Sequence, residues 1–483
     1  MNLLFCLLGA VALAEVVRRT FPEKRHWSFW IGAFFAFNVG IFGHFFASQM
    51  EVEVAGIFAL AFFFLWRGKS RDELIFWVLA GLAGWIKSPL HSVLLGVTAP
   101  LFWLVQGELW TRLKSWKTWA FGLTGILVCL AGYAPAFLLD RDHFIEFYVY
   151  RENLNKPPNG GPWWQALVPM LSYYIIPWMT VAFLSYGELL YQWLAKRRWL
   201  PAESKAEKRF FFLTISTFLP TTLFFIFHPY RGENYALPIV GAVGCLILLF
   251  LKNGTGRWLR VRNWILGLTS LPLLAIPIAV QIFSTRFQLP SDLWPVWFMP
   301  LVWFFSLSAV GLQVWDHFFS KTDGLSIRAT LGNVSSLIVM GLILAVFGEM
   351  EVAQLKARIR EDKKAGIHTE IYYWNLNHLI WNEWGLMSLA VHEKILPLLN
   401  EQDLRGAIQR GDLILARDTD RGKEMEEYAR KNFPELKPVQ YPWNRWKTHA
   451  ADGNGNSLIG QAWKEKDLSI LWDRALILRF VHR

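Results

Sequence analysis

A few short polar stretches interrupt an otherwise apolar chain, and they hold the side chains that could do chemistry. Glu51-Val-Glu53 sets two carboxylates two residues apart. Such a pair can bind a metal, orient a cation or help position an acceptor. It is also what a solvated turn looks like. Lys87 lies between two short apolar segments. Its ammonium is a compact point charge suited to a lipid-linked phosphate; otherwise it is a lysine snorkelling to the interface. The stretch from Asp140 to Gln165 carries Arg151-Glu-Asn-Leu154, then Pro157, Pro158, Gly160, Gly161, Pro162, Trp163 and Trp164. It reads either as a cation site at Arg151 or as an interfacial helix and anchor without chemistry. His228-Pro-Tyr-Arg231-Gly-Glu-Asn-Tyr235-Ala-Leu-Pro238 is dense in hydrogen-bonding groups. Arg231 can hold a phosphate by paired hydrogen bonds and Tyr235 can add a donor. Local helix capping is the plainer account of the same residues. His228 has no metal partner in the pattern and reads as a satisfied histidine.

Other chemistries leave no trace. There is no Walker loop, Rossmann glycine fingerprint, zinc spacing or nucleophile elbow. Cys6, Cys129 and Cys245 sit far apart inside apolar runs and read as buried free thiols. Asp412, in Gly411-Asp-Leu-Ile-Leu415, reads as the start of a strand and not as a catalytic group. No motif demands a cofactor, although the carboxylate pair permits a divalent metal.

The elements that must position these groups follow from composition. Of 483 residues, 54% are hydrophobic, 16% aromatic and only 18% charged, and 27 are Trp. A soluble domain carries about 25% charged residues. The apolar residues come in runs of roughly 20, the length that crosses a bilayer core. That excludes a soluble enzyme, a disordered chain and a nucleic-acid-binding protein. The indole excess fits rings at the two membrane–water interfaces. Twelve spans are expected, near 1–18, 27–48, 53–66, 73–86, 89–105, 119–138, 168–194, 210–227, 236–251, 263–284, 295–315 and 329–348. Residues 27–66 as a single helix would run about 60 Å, so the Glu51/Glu53 pair must mark a turn. Residues 74–105 break at Lys87-Ser88-Pro89, because proline disfavours continuing a helix.

The net charge is +11. The last 134 residues hold 19 of the 38 acidic and 21 of the 49 basic residues, so the basic surplus belongs to the apolar part. Its basic clusters fall in alternate loops: Arg18 to Arg25, Arg67 to Arg71, Arg112 to Lys117, Lys196 to Arg209, Lys252 to Arg262, and Lys321 with Arg328. All can therefore face the cytoplasm together. The polar stretches of the opening paragraph then share the outer side. Two domains are expected: a multi-span membrane core over 1–349, and an extracytoplasmic α/β domain over 350–483. In the latter, His368 to Trp374 and Asp412 to Ala416 read as strands, and Glu424 to Asn432 as a helix. Parity puts the start of the first span outside as well. Met1 opens straight into apolar sequence with no charged n-region or cleavage site, so this is no signal peptide. One further span upstream would return the N-terminus to the cytoplasm.

The pattern resembles the polyprenyl-phosphate-dependent membrane glycosyltransferases of the GT-C class, nearest to the aminoarabinose lipid A transferases and protein O-mannosyltransferases. Three stretches carry the likeness: Gly81-Leu-Ala-Gly-Trp-Ile-Lys87-Ser-Pro89; Tyr150-Arg-Glu-Asn-Leu154 followed by Gly161-Pro-Trp-Trp164; and Arg231 to Pro238. The resemblance covers nearly the whole chain. It implies an α-helical polytopic protein of the inner membrane with an extracytoplasmic α/β domain, which moves a sugar from a polyprenyl-phosphate donor to a lipid, glycan or protein acceptor. Lys87, Arg231, Arg151 and Tyr235 would hold the donor phosphate. Glu51 or Glu53 matches the family's second acidic position. Residues 1–18 resemble the family's second span; its first span and first outer loop, with the principal catalytic carboxylate, have no counterpart here. Two other readings stay open: a degenerate paralogue or partner subunit that binds lipid-linked sugar, and a transporter of such lipids.

Overall fold

Apolar runs become helices because a bilayer offers no partner to a free backbone N–H or C=O. The computed structural model describes residues 2–46, 50–154, 162, 164, 167–196, 204–227, 233–252, 256–287, 296–319, 325–365, 370–374, 395–398, 401–416, 419–446, 458–466 and 472–482. The first half holds α1 (Asn2–Thr20), α2 (His26–Ala36), α3 (Val39–Phe46), α4 (Glu51–Arg67), α5 (Ser70–Ile86), α6 (Pro89–Val105), α7 (Leu109–Leu113) and α8 (Trp116–Leu139). Then follow α9 (Met179–Lys196), α10 (Lys205–Phe227), α11 (Val240–Leu251), α12 (Gly256–Ser270), α13 (Ala275–Arg286), α14 (Phe298–Val314) and α15 (Ile327–Lys364). Over the described residues each expected span contains helix, although two of the twelve are interrupted. Among the described residues, Trp116–Leu139, Arg260–Arg286, Phe298–Phe319 and Ile327–Ala345 are long and apolar enough to cross a membrane on their own.

The break at Lys87-Ser88-Pro89 falls where proline predicts it, with Pro89 at the first position of α6. Another break was not expected. The span over 27–48 splits at Phe37-Asn38, where the buried Asn38 amide donates to the carbonyls of Phe34 (2.8 Å) and Phe35 (2.9 Å). Its Oδ1 accepts the N–H of Ile41 at 2.9 Å. The asparagine thus ends one helix and starts the next. A second interruption splits the 168–194 run ahead of α9, next to a cis Ile176–Pro177 bond. The domain boundary expected at 349 lies inside α15, which continues unbroken to Lys364.

The residues group into two units, Met1–Leu274 with Phe305–Ile338 and Ala275–Phe304 with Val339–Arg483. The first is built on a large aromatic core in which Trp27, Trp30, Phe34, Phe35, Phe58 and Trp178 are fully buried. Its helices approach closely at small residues. A Cβ on Gly81 of α5 would collide with the carbonyl oxygen of Gly125 on α8, and one on Gly125 would lie 2.6 Å from the carbonyl oxygen of Trp77. A Cβ on Gly122, one turn earlier in α8, meets nothing within 4 Å.

The second unit contains a five-stranded sheet of order β2-β1-β3-β5-β4. Its strands are β1 (Ile371–Trp374), β2 (Ile395–Leu398), β3 (Leu413–Ala416), β4 (Leu436–Trp446) and β5 (Trp472–His482). The first three are parallel, and β5 runs antiparallel to both β3 and β4. Helices α16 (Glu401–Arg410) and α17 (Thr419–Asn432) supply Leu404, Ile408 and Met425, and Phe433 follows α17, to pack with Ile414, Leu478 and Phe480. The strands expected over 368–374 and 412–416 and the helix over 424–432 are all present over their described residues. Asp412 is structural, as its position predicts. Its Oδ1 accepts the N–H of Glu370 at 3.2 Å and its Oδ2 accepts Arg410 Nε at 2.8 Å. Gly411 precedes it with φ +70°, the left-handed close of α16. Beside it the Tyr372 hydroxyl donates to Glu370 and accepts from Arg410. Burial, and the bond to Glu370, push this phenol up to about 12. The end of α15 is tied to the sheet by a buried bidentate pair, Arg479 to Asp362 at 3.1 and 2.7 Å. Arg358 adds a second cation on Asp362 at 2.7 Å and lies 4.1 Å from the ring centre of Tyr441.

Two outcomes are expected in thermal unfolding of the purified full chain. Gly81→Val should lower stability by about 1–3 kcal/mol through overpacking, whereas Gly122→Ala should stay within about 0.5 kcal/mol; equal melting of the two would refute the close approach. Asp362→Ala leaves two arginines without their carboxylate and should destabilise the second unit by about 3–5 kcal/mol, seen as faster proteolysis of the C-terminal region.

Candidate active site

Glu51 opens α4 and Lys87 closes α5, so both sit at the same ends of adjacent helices. The chain places them there for separate reasons. The polar residues 49–53 end one apolar run, and Pro89 stops the helix after Ile86. Once α4 and α5 pack side by side, the two charges meet: Lys87 Nζ lies 2.6 Å from Glu51 Oε1. Their side chains are only 13% and 11% exposed, so water screens the pair poorly. A carboxylate also opposes the N-terminal dipole of α4 favourably. Glu53 lies roughly 200° further round α4. It is partly exposed and forms no ion pair or side-chain hydrogen bond with the described residues. The two carboxylates therefore differ: among the described residues Glu51 pairs with an ammonium and Glu53 with none.

Residues that sequence reading passed over complete the surroundings. Ser88 Oγ lies 3.1 Å from Nδ1 of the wholly buried His91. The signal was present: with Pro89 starting a helix, Ser88 and His91 fall at cap and third position, the spacing at which side chains reach back. Tyr133 of α8 donates its hydroxyl to the carbonyl of Gly84, one turn before Lys87. Tyr148 donates to Tyr133 at 2.7 Å. Phe144 stacks on Tyr148 with ring centres 5.2 Å apart and packs against Tyr133 and Phe137. This aromatic group fastens the π-helical segment Phe144–Leu154 to α8 beside the end of α5. No sequence signal separated these tyrosines from interfacial aromatics.

Of the other expected phosphate ligands, Arg151 lies on that π-helical segment and Tyr235 on the 3₁₀ stretch Glu233–Ile239. Only their backbone is described. Arg231 and His228 lie outside the described residues. The geometry therefore brings Glu51 and Lys87 together and puts Glu53 on the same helical turn as Glu51. No group of three His, Cys, Asp or Glu that could hold a metal ion occurs among the described residues. With an ammonium against Glu51, the arrangement suits an anion held by Lys87 more than a metal held by the carboxylates.

These features define an α-helical polytopic membrane protein with a small mixed-sheet domain and a charged site at one end of its apolar helices. Its fold is that of ArnT from Cupriavidus metallidurans. Against that protein in the apo state the TM-score is 0.55 at 15% identity, over 99% of this chain and 82% of that one. Against the same protein bound to undecaprenyl phosphate it is 0.56 at 13% identity, over 99% and 83%. The likeness bears out in three dimensions the resemblance read from the sequence. No protein-family model and no curated protein matches the sequence.

A double-mutant cycle tests the pair. Lys87→Ala strands a carboxylate in apolar surroundings and should cost about 2–4 kcal/mol. Glu51→Gln/Lys87→Ala should recover part of that loss, with a coupling above about 1 kcal/mol. Additive single effects in thermal unfolding would show that the two charges do not interact.

Proposed function

We propose that the chain transfers a sugar from a polyprenyl-phosphate-linked donor to a lipid, glycan or protein hydroxyl on the outer side of the cytoplasmic membrane. The observation that carries this reading is the 2.6 Å Lys87–Glu51 pair at the ends of α4 and α5. It stands on a fold shared with a protein that binds undecaprenyl phosphate. The positions of the basic loops support a reading in which that end, and the domain after α15, face away from the cytoplasm.

In this reading the acceptor oxygen attacks the anomeric carbon as the carbon–oxygen bond to the phosphate breaks. The polyprenyl phosphate leaves with the bonding electrons, and its growing charge is met by the Lys87 ammonium. Glu51, 2.6 Å away, holds that ammonium in place. Glu53, which pairs with no cation among the described residues, is the carboxylate that takes the acceptor proton. Arg231, Arg151 and Tyr235 are the further donor-phosphate ligands. The polyprenyl tail runs along the apolar helix surfaces among membrane lipids.

The test is turnover of a labelled polyprenyl-phosphate sugar by the full chain in proteoliposomes. Lys87→Ala should lower kcat by about 10²–10³, as removal of one charge-stabilising donor does, while the protein still folds; Lys87→Arg should recover part of it. Turnover by Lys87→Ala at the wild-type rate sinks the assignment. Donor binding by the wild type without any turnover replaces it with the binding-protein reading.

A further inference from the structure

The opposite end of the same helices carries a second charge arrangement, unrelated to the pair above. There every acid is already neutralised. Asp72 at the start of α5 pairs with Arg67 at 3.1 Å. The buried Glu73 accepts from Arg112 Nη1 at 2.9 Å and from the Thr118 hydroxyl at 3.1 Å. Glu108 takes the other side of Arg112 at 3.1 Å. Arg209 is also occupied, donating to the carbonyls of Trp66 (2.7 Å) and Leu65 (3.2 Å). The small pocket between Glu73, Glu108, Arg112 and Arg209 is thus a closed seam of satisfied charge, not an anion site.

The cations left over are on the surface. Lys114 and Lys117 flank the turn from α7 to α8 and are exposed; Lys69 and Arg71 are exposed at the neighbouring start of α5. None of the four forms an ion pair with a described residue. Interleaved with the two lysines are three indoles that a folded interior would cover: Trp110 is 74% exposed, Trp116 73% and Trp119 65%. Trp119 is nonetheless held in place, its Nε1 donating to the carbonyl of Leu113 at 2.8 Å. Beyond them α8 presents Leu123, Ile126, Leu127 and Leu130 to the outside. Reading down this face, one meets amphipathic rings, Trp119 held in place, with ammonium groups that pair with no described carboxylate, then bare hydrocarbon. That is the profile of a phospholipid from headgroup to acyl chain.

We propose that the α7–α8 corner, through Lys114, Lys117, Trp110, Trp116 and Trp119, is a binding site for the phosphodiester headgroup of an anionic phospholipid. Charge complementarity selects the occupant. A zwitterionic headgroup brings its own ammonium, whereas an anionic one brings the charge that this corner, its acids already paired with Arg67 and Arg112, does not offer Lys114 and Lys117. Arg112, tied to Glu73 and Glu108, links the corner to α5 and keeps its geometry fixed.

The experiment uses the full chain in nanodiscs of pure phosphatidylcholine and of phosphatidylcholine with phosphatidylglycerol, at about 0.1 M salt, where exposed charges act only within roughly 10 Å. Phosphatidylglycerol should raise the melting temperature of the wild type, and native mass spectrometry should show it retained. Lys114→Gln/Lys117→Gln should lose the rise and bind the lipid at least about tenfold more weakly. Lys114→Arg/Lys117→Arg should keep both. Lys205→Gln/Lys208→Gln removes two exposed lysines from the start of α10 and should also keep both. The proposal is overturned if the Lys114/Lys117 variant, melting normally in phosphatidylcholine, still responds like the wild type. It is overturned equally if the Lys205/Lys208 variant loses the response as fully, for then only a diffuse field is at work. Should the glutamine variant fail to fold, Trp116→Leu provides the second reading, with the same outcomes.

Discussion

Wherever this chain stops being a helix in apolar surroundings, backbone groups are set free and must be met by something other than water. That constraint governs the break at Asn38, where one side chain meets two carbonyls and an N–H, and where the Trp178 indole donates to the carbonyl of Phe37 at 2.9 Å. The freed N–H of Val39 goes to the carbonyl of Ile176 at 2.8 Å. It also governs the far end of α4, closed by Gly68 in the left-handed conformation and by Arg209 reaching across from α10 to the last carbonyls. An unmet polar group in such a place costs several kcal/mol. The breaks are therefore as determined as the helices, and they are what sets Glu51, Lys87 and the surface corner at their heights.

Charges obey the same rule at the helix ends. Glu207 starts α10 in a reciprocal cap with Ser204, its N–H going to Ser204 Oγ at 3.1 Å, and its carboxylate also takes Lys252 at 2.6 Å. Asp72 and Glu73 start α5 on Arg67 and Arg112. In each case an acid sits in a first turn, where the helix dipole favours it, and a basic residue at the C-terminal end of another helix closes the pair. Glu51 belongs to this series. Its partner, Lys87, likewise closes a helix, at the end of α5.

Much of this was legible. Pro89 announced the end of α5, the apolar runs announced the helices, and Gly411-Asp412 announced the start of a strand. These signals are local: one residue's conformational limits decide them. The break at Asn38 was not legible, because an asparagine in an apolar run ends a helix only if its surroundings leave it no better partner. The Glu51–Lys87 contact was not legible either. Both residues stood out as charges, but 36 positions separate them, and only the packing of α4 on α5 makes them neighbours. Tyr133 and Tyr148 were invisible for a third reason: a tyrosine that fastens a loop and one that floats at an interface have the same sequence context.

The proximity of Glu51 and Lys87 along the chain bears on how the protein is made. Helices enter a membrane in order as they emerge, and a lone charge among hydrocarbon is costly until it finds its opposite. Here both members are in place once α5 has been synthesised, before α8, the sheet or the π-helical segment exist. Glu51 waits for its partner only over the 36 positions that separate it from Lys87. The ion pair is thus an early fixture of biogenesis, and later helices assemble around a site whose electrostatics are already settled.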